Sequence, residues 1–197
     1  MTPAEETRLV ARLKRREELA FHELVVRHQR AIYGLCLRMV GQPTEAEDVA
    51  QDVFVRSFLA IDTFRGDSSL GTWLYRIAIN LCKNRIKYLG RRRTSSSQAV
   101  EDVPEGELVR SVAGGLSVGE PAPRPDEALS GNQTEHLIQR ALAAVEPDFR
   151  ELLVLRDIEG LSYAEVMTIT GLAEGTVKSR LHRARSALKA AYEALTR

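Results

Sequence analysis

Along the segment TWLYRIAINLCKNRIK, Trp73, Arg76, Asn80, Lys83, Asn84 and Lys87 return to one side. At ~100° per residue they fall within a ~100° wedge of a helix, an aromatic ring heading a strip of amide donors and positive charge. Such a face suits a single nucleic-acid strand, because an unstacked base lies on the ring while Lys and Arg hold the backbone. The adjoining loop FRGDSSLG supplies Phe64, Arg65, Asp67 and Ser68. Polar groups on a loop beside a ring form a pocket for a base taken out of its stack, which requires melted DNA. The competing reading turns the indole of Trp73 into the core, where large rings usually go.

A second constellation closes the chain. LSYAEVMTITGLAEGTVKSRLHRARSAL places a short helix, a glycine suited to a tight turn (Gly171) and a longer helix entered near Ala173 or Glu174. This is the order of a helix-turn-helix. Val177, Leu181, Ala184, Leu188 and Ala191 form the apolar stripe of the second helix, and Lys178, Ser179, His182, Arg183, Arg185, Ser186 and Lys189 form its front. An apolar back with Arg, Lys and short hydroxyls in front fits the major groove of duplex DNA, with Arg180 and Arg183 as cations that binding should need. His182 has no partner at metal-ligand spacing, and His22, His28 and His136 are scattered, so no metal site is expected.

The third surface lies on AEDVAQDVFVRSFLAI, where Asp48, Gln51, Asp52 and Val55 share one side. An acidic and apolar patch of this kind suits a basic protein partner. Asp48 and Asp52 at i, i+4 lack the Glu-x-x-His motif of carboxylate-bridged metal bundles.

Positioning these surfaces requires helices. From Glu6 to Leu89 the apolar period is helical, broken at Gly41–Thr44 and FRGDSSLG, and the last third is helical with breaks at Pro147, Gly160 and Gly171. In the helix of Trp73, the residues Leu74, Ile77, Ala78, Leu81, Cys82, Ile86 and Leu89 are expected to be buried. The stretch between the helical parts is rich in Ser, Gly, Pro and acid and reads as a flexible acidic linker. The expected organisation is all-α, with two small helical domains at 1–92 and 133–197 joined by a linker at 93–132. Net charge is +1, yet Leu81 to Thr94 holds six cations and no acid. Basic patches on both sides of an acidic tether point to two contacts with a polyanion. Cys36 and Cys82 sit at apolar helical positions without a CxxC, as small core residues in a reducing compartment. No apolar run reaches membrane-spanning length, so a cytoplasmic protein without membrane insertion is expected. No Ser-His or Cys-His pairing, phosphate loop or metal-spaced cluster supports an enzyme or a cofactor.

AEDVAQDVF, DTFRGDSSLGTWLYRIAINLCKN and the closing helix-turn-helix, in that order, resemble regions 2.2, 2.3 to 2.4 and 4.2 of the extracytoplasmic-function (ECF) sigma factors, the two-domain branch of the sigma-70 family. The resemblance spans nearly the whole chain. It implies that the first domain docks on core RNA polymerase and captures the melted −10 promoter element, and that the second reads the −35 element as duplex. Carried over by position, Asp48, Gln51, Asp52 and Phe54 would contact polymerase. Phe64, Arg65, Asp67, Ser68 and Ser69 would hold a flipped base. Trp73, Arg76, Asn80, Lys83 and Asn84 would lie along the melted strand, and Thr176, Lys178, Ser179, Arg180, His182 and Arg183 would face the upstream duplex. An anti-sigma factor is the further partner implied. The alternative is a free-standing helix-turn-helix regulator whose N-terminal bundle dimerises or senses.

Overall fold

The computed structural model describes residues 1–95 and 125–196, with side chains described over 1–92 and 134–196. Helix α1 (Pro3–Lys14) begins at a capping box in which Thr2 Oγ1 accepts from Glu5 N–H and the Glu5 carboxylate accepts from Thr2 N–H. It buries Leu9 and Leu13. Helix α2 (Glu18–Val40) ends at Gly41, whose left-handed φ of 83° closes the last turn onto Leu37 O. Helix α3 (Pro43–Ala60) follows at once and runs into a single 3-10 turn, Ile61–Thr63.

Helix α4 (Leu70–Ser95) carries Trp73. Its start is pinned from two sides: Leu70 N–H donates to Glu6 Oε1 of α1 at 2.8 Å, and Thr72 N–H donates to Ser69 Oγ at 3.1 Å. These bonds satisfy donors that a helix end leaves open. Leu70, Leu74, Ala78 and Cys82, spaced by four, are all fully buried. Ile79 and Thr72, outside the expected apolar arc, are buried as well, while Ile77, Leu81 and Ile86 are half-buried. The covered arc is wider than a surface helix needs because α4 packs against α2, α3 and the second domain at once.

The second domain comprises α5 (Pro125–Ala144), α6 (Pro147–Leu153), a π-helical turn over Val154–Ile158, α7 (Tyr163–Thr170) and α8 (Glu174–Thr196). Helix α5 begins inside the stretch expected to be linker, with a proline in the first helical position, where its missing N–H has no partner to lose. Most of the expected linker, residues 96–124, lies outside the described residues. The expected helix-turn-helix is α7, Gly171 with φ of 71°, and α8. Gly171 N–H closes on Met167 O at 2.8 Å, and Val177, Leu181 and Ala184 bury the back of α8.

The two domains are packed together. Leu142, Val145, Leu152 and Leu153 join the buried cluster that includes Leu35, Met39 and Cys82 of the first domain. Arg150, only 6% exposed, donates through Nη1 to Met39 O at the end of α2 and through Nη2 to Ala143 O and Val145 O at the end of α5. Gln139 Nε2 donates to Leu37 O. Cys36 and Cys82 are both buried free thiols.

Candidate nucleic-acid interfaces

Trp73 takes a middle course between core and solvent. It is half-buried and packs edge-on against Phe64, with ring centroids 5.5 Å apart. One side of the indole thus rests on the bundle, and the remainder lines an open cavity of about 460 Å³. Arg65, Asp67 and Ser68 from the loop and Arg76 and Asn80 from α4 also line it. The loop reaches this position by a left-handed turn at Gly66, φ 82°, a conformation that glycine adopts without steric cost. Phe64 is 5% exposed, so it forms the floor of the cavity and supports Trp73 from below. Ser69 is spent at the start of α4, where its Oγ meets both Thr72 N–H and Thr72 Oγ1.

The polar strip of α4 splits in two. Arg76, Asn80, Asn84 and Lys87 are exposed, so Trp73 heads a continuous open face. Lys83 does not belong to it. Its ammonium pairs with Glu151, itself 3% exposed, and with Asp148 at 3.4 Å, both in the second domain. Lys83 sits at the edge of the wedge that adjoins Thr72 and Ile79, where the buried arc extends further than apolar spacing indicates. Burial pulls the Lys83 ammonium down, but the two carboxylates more than reverse this and leave it above its usual range. Burial pushes Glu151 up, and Lys83 only partly offsets it.

On α3, Asp48, Gln51 and Asp52 are exposed and Phe54 is half-buried. Asp48 is held by Arg85 of α4 at 2.9 Å. The patch is longer than expected: Asp48, Asp52, Val55 and Leu59 follow i, i+4, i+7, i+11, with Val55 44% and Leu59 64% exposed, and Phe58 beside them at 41%. The stripe is acidic at its N-terminal end and apolar at its C-terminal end. The signal was the apolar residue recurring at helical spacing after Val55.

On α8, Lys178, Ser179, His182 and Arg183 are exposed on one arc, while Thr176 and Arg180 flank it half-buried. Lys178 pairs with Glu174 at 2.7 Å and lies 5.5 Å from the Tyr163 ring, which fixes its head at the rim of the helix-turn-helix. Arg180 lies on the side of α8 toward Glu151, whose carboxylate it helps to hold in its charged form. Arg185, expected on the open front, forms a two-pronged pair with Asp157 at 2.7 and 2.9 Å and ties α8 to the π-helical turn. The start of α7 is capped by Ser162 and Glu165, whose mutual bonds hold the Glu165 carboxyl below its ordinary range.

Sequence spacing did not reveal three acids that face α4 from the second domain. Besides Glu151, Glu159 accepts from Tyr75 OH at 2.8 Å and from Arg38 at 3.2 Å, and Glu165 accepts from Thr72 Oγ1 at 3.1 Å. Thr168 of α7 also lines the cavity beside Trp73. Only Glu151 had a signal, a charge set inside the apolar run FRELLVL. Among the described residues, no group of acids, histidines and cysteines is arranged to hold a metal ion, and no helix is long and apolar enough to cross a membrane.

Comparison with known proteins converges on one family. The sigma-70 region 2 model matches residues 24–94 and the sigma-70 region 4 model residues 135–188. The RNA polymerase sigma-H factor of Pseudomonas aeruginosa is 37% identical over 197 residues, covering 100% of this chain and 98% of that protein. The ECF RNA polymerase sigma-E factor of Escherichia coli is 36% identical over 180 residues, covering 91% and 90%. Among solved structures, the sigma factor RpoE in complex with the anti-sigma factor NepR from Bartonella quintana aligns with a TM-score of 0.62 at 25% identity, over 88% of this chain and 96% of that one. CnrH, solved with the cytosolic domain of CnrY, shares the fold with a TM-score of 0.64 at 24% identity, over 96% and 97%. A two-domain helical chain with an open cavity beside Trp73, a helix-turn-helix in its second domain and relatives along its whole length belongs to the ECF branch of the sigma-70 family.

Proposed function

We propose that three surfaces of this chain divide the work of a sigma factor among them, within the domain limits 1–92 and 133–197. A sigma-70 family member directs core RNA polymerase to promoters and is a transcription-initiation factor rather than an enzyme. The stripe from Asp48 through Gln51, Asp52 and Phe54 to Leu59 meets the polymerase, its acids steering a basic surface and its apolar end burying against it. The cavity formed by Phe64, Arg65, Asp67, Ser68 and Trp73, with Ser69 ordering its rim, takes a base flipped from the melted −10 element. Arg76, Asn80 and Asn84 follow the strand away from it. Lys83 joins them only when released from Glu151. Lys178, Ser179, His182 and Arg183 enter the major groove of the −35 duplex, with Thr176 and Arg180 at the margins. The chain contributes no catalysis or cofactor of its own, acts in the cytoplasm where core polymerase works, and has an anti-sigma factor as a further partner.

The observation that carries this reading is Trp73, a half-buried ring presenting one side to a polar cavity on a cation-bearing helix. A free-standing regulator that reads only duplex DNA has no use for it. Run-off transcription with purified core polymerase over a set of promoters tests the assignment. Added chain should produce promoter-specific transcripts, and none at any promoter overturns it. Trp73→Ala should impair initiation on a duplex promoter more than on a pre-melted template, with about 1–3 kcal/mol of base stacking at stake. Equal losses on both templates would return the indole to a structural role.

A further inference from the structure

The glycine in α8 has no cause in the fold. Gly175 lies in the first turn of the helix, without the left-handed φ of Gly41, Gly66, Gly160 and Gly171. It is exposed, and a Cβ built on it meets no atom within 4 Å. An alanine would therefore fit, and glycine loses more conformational freedom than alanine when a helix forms. The chain thus carries, at an open position, a residue that weakens α8, and neither backbone conformation nor packing asks for it.

Its place on the helix supplies a reason. At ~100° per residue, Gly175 falls roughly 150° from the centre of the back formed by Val177, Leu181 and Ala184. Lys178 lies ~60° to one side of it and Arg183 ~80° to the other, so Gly175 sits near the midline of the front assigned to the major groove. The neighbours leave that midline clear. Lys178 is drawn aside to Glu174 at 2.7 Å, and its head lies 5.5 Å from the Tyr163 ring. Ser179, one turn further on, donates its hydroxyl back to Thr176 O at 3.1 Å instead of standing over the glycine.

The surface that Gly175 turns outward is a Cα hydrogen, with no donor, acceptor or charge beyond it. A polar base edge pressed against it would lose its water without replacement. Phosphates go instead to the cations on either flank. Among the groups that base pairs show in the major groove, the 5-methyl of thymine is the apolar one.

We infer that Gly175 is a specificity-determining position of α8, where the missing side chain admits the 5-methyl group of a thymine in the upstream duplex. This rests on the reading of α8 as the −35 helix.

The test uses holoenzyme assembled from core polymerase and the full chain, on the strongest promoter found by run-off transcription. Thymines of its −35 element, on both strands, are replaced one at a time by deoxyuridine, which removes only the methyl. Holoenzyme with the unsubstituted chain should lose about three- to fourfold in affinity at one of these positions, the share of one buried methyl-sized group. Gly175→Ala should unfold at a higher urea concentration, because alanine fits the helix. It should nevertheless bind the thymine duplex about tenfold more weakly, the scale of one mismatched base pair. At that same position deoxyuridine should recover most of the variant's loss, since the alanine methyl then takes the space that the thymine methyl left. A purely structural role for Gly175 would weaken every duplex alike and give no such reversal. Equal affinity of Gly175→Ala and the unsubstituted chain overturns the inference, and so does a loss that deoxyuridine relieves at no position. If holoenzyme with the unsubstituted chain prefers no promoter, the functional reading falls and this inference with it. A promoter-specific holoenzyme indifferent to Gly175→Ala sinks this inference alone.

Discussion

Replacing Arg150 by Met should destabilise the chain by about 2–4 kcal/mol, through loss of polar contacts rather than of packing. The guanidinium is 6% exposed and, among the described residues, no carboxylate lies within ion-pair distance of it; its acceptors are the carbonyls of Met39, Ala143 and Val145. Hydrogen bonds from a charged donor contribute about 1.5–3 kcal/mol each, so three of them set a gross loss of roughly 4–9 kcal/mol. Against this stands the cost of keeping an ion out of water, several kcal/mol, which the methionine removes. Burial accordingly holds the Arg150 guanidinium below its ordinary value. The remaining penalty is that of buried carbonyls at the ends of α2 and α5 left without donors. Urea unfolding followed by circular dichroism measures it, with Arg150→Lys as the control. An ammonium keeps the charge but cannot fork to α2 and α5 together, so Lys should recover less than half of the loss. A change under 1 kcal/mol for Met, or full recovery by Lys, would refute the account.

Leu74→Ala empties a fully buried site at the centre of the first domain and should cost about 2–5 kcal/mol, read as a lower urea midpoint with unchanged slope. His28 gives a pH dependence. Burial holds its imidazole below the ordinary value of 6.5, Arg27 acting the same way and Glu6 opposing. The unfolded chain therefore takes up a proton that the folded chain refuses, so this contribution is complete above about pH 6.5 and is lost as pH falls through the window beneath. His28→Gln should flatten the melting temperature between pH 7 and pH 5, and an unchanged slope would count against it. Arg183→Ala should weaken holoenzyme binding to a −35 duplex and reduce the salt dependence by about one phosphate contact; equal affinity across salt concentrations would remove Arg183 from the interface.

The elements were largely legible in the sequence because their punctuation is local. Gly41, Pro147 and Gly171 mark real breaks, and the two capping boxes sit where Thr2 and Ser162 precede Glu5 and Glu165 by three residues. The faces were legible where a helix buries one side and leaves the other open to solvent, as α8 does although it packs on α5, α6 and α7. On α8 the apolar back predicts the exposed front, Arg185 included, while the pairing of Arg185 with Asp157, 28 residues upstream, is registered by no helical period. On α4 the same reasoning failed at Lys83, since a helix covered on several sides no longer divides into one apolar and one polar half. Only the first turns of α5, before Thr134, were hidden, and for a different reason. The stretch from Pro125 has the Ser, Gly, Pro and acid content of a linker, while its backbone is helical through to Ala144.

The seam between the domains combines apolar packing with polar bonds. Part of the seam is apolar: Leu142, Val145, Leu152 and Leu153 share one buried cluster with Leu35, Met39 and Cys82, and each Å² of such surface returned to water costs about 25 cal/mol. Here the side chains that cross the seam include Thr72, Tyr75, Lys83, Arg38 and Gln139. Each recovers water in exchange for its partner when the domains part, and the net strength of such bonds is about 0.5–1.5 kcal/mol apiece. Arg150 spans both sides of the seam: it donates to Met39 O of the first domain and to Ala143 O and Val145 O within its own, so one guanidinium joins the end of α2 to the end of α5.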